Sequence, residues 1–177
     1  LKNRVILIFG ILLWCCTPIA VESPSSNTVS FKINNEDCDD PCNVLLSFAA
    51  SAIPNHDYRT AVDNYKKLFT CGCRNELKNE AIDIYKYFGY SYIQLNLYDS
   101  AAYIFDQGMK NDLVRDDIEF LNYAANTYGK LNNVDRQIFY YDQMLAIEEN
   151  NIKALEELST LYRENEMYEE QIDILNI

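Results

Sequence analysis

One four-slot pattern returns four times along this chain and constrains its fold more than any bulk property does. Tyr85, Phe88, Gly89 and Tyr92 stand three, one and three residues apart. Leu121, Ala124, Ala125 and Tyr128 repeat that spacing, as do Leu155, Leu158, Ser159 and Tyr162 downstream and Leu45, Phe48, Ala49 and Ala52 upstream. Such spacing places all four slots on one face of a helix. A short polar break follows each set, at Pro54-Asn55, Asn96-Leu97, Asn132-Asn133 and Asn165-Glu166. A second amphipathic stretch follows each break. It is marked by Ala61, Tyr65 and Leu68, by Ala101, Phe105 and Gly108, by Gln137, Tyr141 and Met144, and by Gln171 with Leu175. Tyr58, Tyr98, Val134 and Tyr168 each open such a stretch three residues before its first mark. A helical hairpin cannot bury its apolar face alone, so each unit must stack on the next. The expected fold is an all-α solenoid.

This pattern resembles the tetratricopeptide repeat (TPR), a 34-residue hairpin with small residues where its helices touch and aromatics where they wedge. The resemblance places units at 42–75, 82–115, 118–151 and 152–177, the last one truncated. It implies a right-handed superhelix with a concave groove. The match is most specific over Asp99 to Lys110 and Arg136 to Asn151. Departures exist too. Cys73, Leu113 and Glu149 occupy the slot of the family's proline, and Gln137 and Gln171 stand where a small residue belongs at the helix contact.

Composition agrees with a helical chain. Only 5 glycines and 4 prolines interrupt it, against 14 tyrosines and a hydrophobic share of 49%. The net charge of −12 repels phosphate backbones and anionic headgroups, which speaks against nucleic-acid and membrane-surface partners. Most of the acidic excess reads as a solvated surface.

The first twenty residues read as an address. Lys2 and Arg4 precede the apolar run Val5 to Trp14, too short for a comfortable membrane span but suited to a signal-peptide core. Cleavage after Ala20 would leave Val21 to Asp37 inside a polar linker, 21–41. The alternative is a lipoprotein signal, with Leu13-Trp14-Cys15 ahead of an acylated Cys16. Only such lipidation would bring membrane contact, in a layout similar to TPR lipoproteins of envelope assembly machineries. Either reading exports the chain, and the resemblance to exported TPR proteins points to the periplasm or cell envelope, with secretion as the alternative. The chain starts at Leu1 and stops at Ile177 within an amphipathic run, so a longer natural protein is expected.

Cys38, Cys42, Cys71 and Cys73 flank the first unit. The start of its first helix and the end of its second lie side by side in an antiparallel hairpin. Two disulfides, joining Cys38 and Cys42 each to Cys71 or Cys73, are therefore expected in an exported chain. A zinc site and a Cys71-Gly72-Cys73 redox pair are the alternatives.

Little points to catalysis. His56 is the one histidine and falls in a turn beside Asp57. Phosphate loops, nucleophile elbows and metal-type His/Glu pairs are missing from the sequence, and no cofactor is expected. Acidic pairs such as Asp116-Asp117 occupy consecutive helical positions that point apart.

The resemblance implies instead a protein or peptide partner held along the second, fifth, ninth and twelfth positions of each first helix. Those residues are Asp83, Lys86, Tyr90 and Ile93; Glu119, Asn122, Asn126 and Gly129; and Lys153, Glu156, Thr160 and Arg163. Asn43, Leu46, Ala50 and Ile53 hold the same positions in the first unit. The groove would run from apolar to mixed polar. A clamp for a partner's C-terminal carboxylate, known in some TPR domains, is not expected. Lys86 fits its first slot, but Tyr90 replaces the needed asparagine and Glu157 the needed base.

Overall fold

The computed structural model describes Phe31 and residues 38–175, apart from the side chains of 171–173 and 175. The expected signal segment, Cys16 included, and most of the expected linker lie outside these residues. Eight α-helices follow in order: α1 Cys42–Ala52, α2 Tyr58–Thr70, α3 Ala81–Gln94, α4 Tyr98–Gly108, α5 Ile118–Lys130, α6 Val134–Ile147, α7 Ile152–Glu164 and α8 Tyr168–Leu175. They form four antiparallel hairpins, α1/α2, α3/α4, α5/α6 and α7/α8, and each hairpin packs on the next. The fold is an all-α solenoid. Among the described residues there is no strand, and no helix is long and apolar enough to cross a membrane.

The turn inside each hairpin is built the same way four times. His56, Asn96, Asn132 and Glu166 take left-handed backbone, with φ of 57°, 57°, 53° and 59°. Each sits two residues before the second helix of its hairpin. The next residue then donates its N–H to a carbonyl five residues back: Asp57 to Ala52, Leu97 to Tyr92, Asn133 to Tyr128 and Met167 to Tyr162. This is the bond of a Schellman helix ending, which satisfies an otherwise orphaned carbonyl. Asp57 and Asn133 then cap the helix that follows, accepting from the N–H of Thr60 and Arg136 at 3.2 and 3.1 Å. Asp117 and Asn151 cap α5 and α7 in the same manner.

Small residues let the paired helices close. Gly89 on α3 faces the ring of Phe105 on α4, and Gly108 on α4 faces Phe120 on α5. Gln137, bulky for its slot, fits because the opposite residue is Gly129, whose absent side chain leaves the space that the amide fills. The core between hairpins is largely aromatic. Tyr65 of α2 stacks on Phe88 of α3 at 5.4 Å, Phe88 on Tyr92 at 5.0 Å, and Phe105 meets Phe120 edge-on at 5.3 Å. Each such ring contributes roughly 1.5–3 kcal/mol through burial alone.

Two residues depart from the periodic reading. Phe48 holds the same slot as the fully buried Phe88, yet it is 52% exposed. That slot points towards the preceding hairpin, and among the described residues none precedes α1. Phe31, within the expected polar linker, instead packs its ring 5.3 Å from Phe69, 5.8 Å from Phe88 and 6.0 Å from Tyr103. It thereby covers the seam between α2, α3 and α4.

The cysteines pair as Cys38–Cys71 and Cys42–Cys73. Both bonds tie the chain ahead of the first hairpin and its first helix to the link after α2, where a short 3-10 turn, Cys73–Asn75, follows Gly72. With all four sulfurs in disulfides, no thiolate is left to serve the zinc reading.

Candidate functional site

The expected groove runs over the first helices of successive hairpins, of which α3 packs directly on α5. At its N-terminal end, Ala50, Ile53 and Pro54 meet Tyr87 around a shallow apolar hollow of about 240 Å³. Of the expected groove positions in α1, Ala50 and Asn43 are exposed while Leu46 and Ile53 are half-buried.

Next comes a row of tyrosines. The ring of Tyr90 lies 5.9 Å from that of Tyr58 and 5.2 Å from that of Tyr123. Three hairpins thus contribute one ring each to a half-buried strip. His56 Nδ1 lies 2.8 Å from the Tyr58 hydroxyl, which ties the turn histidine to the end of this strip. Burial, followed by the hydrogen bond with Tyr58, holds the Tyr90 hydroxyl above its ordinary pKa.

Lys86 sits beside the strip and is nearly buried. Its Nζ lies 3.0 Å from Glu119 Oε2 and 3.8 Å from each of Asp117 and Asp83. Burial acts to lower the pKa of this ammonium, but the Glu119 hydrogen bond and the charges of Asp117 and Glu119 outweigh it and leave the pKa raised. The same bond to Lys86 is the main cause that holds the Glu119 carboxyl below its usual range. Glu119 also accepts from the Tyr123 hydroxyl at 3.0 Å. The cation in the first slot of a carboxylate clamp is therefore already neutralised by carboxylates of its own chain.

Beyond this bridge the face becomes amide-rich. Asn126 Nδ2 donates to Asn122 at 3.3 Å, and Tyr141 of α6 donates to Asn126 Oδ1 at 3.4 Å. These bonds fix the side chain of Asn126, which is itself exposed. On α7, Lys153, Glu156 and Arg163 are exposed and Thr160 is half-buried. Neither Lys153 nor Arg163 forms an ion pair among the described residues.

The structure thus brings Lys86 and Glu119 into contact across hairpins and joins Asn122 to Asn126, while Asp83 reaches Lys86 from one turn away. The α7 residues remain separate. Sequence reasoning missed Tyr58, Tyr87 and Tyr123. Tyr87 and Tyr123 each follow a groove position, Lys86 and Asn122, by one residue in adjacent units. That recurrence was the available signal.

No family model and no curated protein matches the chain. Among solved structures, it is similar to the crystal structure of MamA, a TPR-like helical repeat protein, with a TM-score of 0.63. The match covers 75% of this chain and 68% of that one at 14% identity. At such identity the likeness is one of fold, and the fold it carries is that of a helical-repeat solenoid.

Proposed function

We propose that this chain is an exported protein-interaction scaffold of the tetratricopeptide type, which holds an extended peptide segment of a partner along the face of α1, α3, α5 and α7. The tyrosine strip carries this reading. Tyr58, Tyr90 and Tyr123 offer flat, partly exposed rings that are already in register, so they lose little side-chain freedom when a partner covers them. The apolar hollow next to them is shaped for one partner side chain, and Asn122 and Asn126 can bond an extended backbone without reading its sequence. Lys86 and Glu119, the charges next to the strip, are spent on each other, which suits holding better than proton transfer. Export is supported by the two disulfides, which persist in oxidising compartments and rarely in the cytosol.

The test is a pull-down from an envelope extract with the full chain and with the double variant Tyr90→Ala, Asn126→Ala. Loss of a partner that the parent retains, with unchanged helicity, is the expected result. Equal recovery by both proteins would count against the groove.

A further inference from the structure

A cleft of about 420 Å³ opens beside the second hairpin, between the α2–α3 and α4–α5 connections. None of its lining residues belongs to the groove positions. Arg74 and Lys78 enter it from one connection and Lys110 from the other, and no carboxylate lines it. In a chain with 27 acidic and 15 basic residues, that sorting is unusual. None of the three cations forms an ion pair among the described residues, although all three are exposed and free to reach one.

Two of the cations are also positioned. The Arg74 guanidinium lies 5.1 Å from the centroid of the Phe69 ring, and Lys110 Nζ lies 3.4 Å from Gln107 Oε1. Arg74 directly follows Cys73, and Cys71 and Cys73 are both held in disulfides. The wall that carries Arg74 and Lys78 is therefore anchored to the start of the first hairpin before any ligand arrives. Like charges gathered in a concave site raise the local potential and favour an anion there. Leu113, 57% exposed, stands at the same cleft with Asn75 and Asn111. A bare inorganic anion would leave this apolar side chain idle.

We infer that the cleft binds an acidic peptide segment, with carboxylates between Arg74, Lys78 and Lys110 and an apolar residue against Leu113. This site is separate from the groove and does not depend on it.

Fluorescence anisotropy of a labelled peptide with four glutamates flanking a leucine, titrated with the full chain at low salt, tests the assignment. Saturable binding is expected, weakened roughly tenfold or more by the triple change Arg74→Gln, Lys78→Gln, Lys110→Gln, and falling steeply with salt. The groove variant Tyr90→Ala, Asn126→Ala is expected to bind this peptide as the parent does, so failure of one site is distinguishable from failure of the other. Circular dichroism confirms that the triple variant folds, since the three side chains are exposed. Equal affinity in the triple variant, equal affinity for a peptide with glutamines in place of its glutamates, or no saturable binding would each overturn the assignment. Pyrophosphate binding in place of the peptide would overturn it as well, in favour of a small phosphate ligand.

Discussion

Gly89 on α3 lies directly against the Phe105 ring on α4: a Cβ at that glycine would stand 2.3 Å from Phe105 Cζ. Phe105 is fully buried and has no room to retreat. Gly89→Ala gains up to about 1 kcal/mol of helix propensity but overpacks the core, at a cost of about 1–3 kcal/mol. We expect net destabilisation, read as a lower urea midpoint with an unchanged slope. Adding Phe105→Leu should recover part of the loss, because the two effects are coupled through one contact.

The four left-handed turn residues make a second prediction. Asparagine tolerates this backbone and occupies it at Asn96 and Asn132, whereas Glu166 holds φ 59° with a longer side chain that gains nothing there. Glu166→Asn should stabilise by about 0.5–1 kcal/mol, and Asn132→Ala should cost about 1 kcal/mol, both measured by thermal unfolding.

Asp106 links three helices. Its carboxylate accepts from the hydroxyls of Tyr128 on α5, at 2.8 Å, and Tyr140 on α6, at 2.9 Å, and from the Arg136 guanidinium. Arg136 in turn lies over the Tyr128 and Tyr140 rings. Asp106→Ala leaves the buried Tyr140 hydroxyl without this acceptor and should cost about 1–3 kcal/mol. Burial and then the Asp106 bond push the Tyr128 hydroxyl up to about 12. Asp106→Asn should lower that value, which ultraviolet titration of the tyrosines would detect.

The Lys86–Glu119 bridge sets a pH dependence at both ends. The carboxyl is depressed in the folded chain, so its stabilisation is complete above its ordinary value of 4.5 and is lost as pH falls through the depressed one. The ammonium is raised, so its share is complete below 10.5 and is lost as pH climbs through the raised value. Tyr92, Tyr128 and Tyr141, each pushed up to about 12 chiefly by burial, add a loss between pH 10 and 12. Urea midpoints should hold near neutrality and drop on both sides. In Lys86→Met the acid drop should shrink, and an unchanged acid limb would contradict the bridge.

The two disulfides close overlapping loops, with sequence separations of 33 and 31 residues. On the chain-entropy model one such closure contributes about 3–4 kcal/mol, and the second adds less because the first already restricts the same segment. A reductant should therefore lower the melting temperature while the oxidised chain shows no reactive thiol among these four cysteines. Replacing Cys42 and Cys73 by serine leaves Cys38–Cys71 to close nearly the same loop, so it should reproduce only the smaller part of the loss, while loosening the wall that carries Arg74.

The periodic slots were legible without coordinates because they obey a local rule. Tyr85, Phe88, Gly89 and Tyr92 share a helix face through helical spacing alone, and their return in four units implies stacking. The convergence of the cysteines was legible for a similar reason, since any antiparallel hairpin brings its two ends together. Which cysteine pairs with which was not, because both pairings satisfy that geometry.

Other features depend on the distance and angle between hairpins, which no local spacing encodes. Lys86 reads as a free groove cation in the sequence, but packing of α3 on α5 delivers Asp117 and Glu119 to it. Gln137 reads as an obstacle until Gly129 lies opposite, and Tyr58, Tyr90 and Tyr123 become one strip only when three hairpins align. Phe31 finds its aromatic seat at the meeting of three helices. The sequence by itself determined the hairpins, their order and their buried faces, since these follow from the helical repeat. Only the tertiary structure decided which charges cancel and which rings meet, because those contacts join residues roughly thirty positions apart through the packing of one unit on the next.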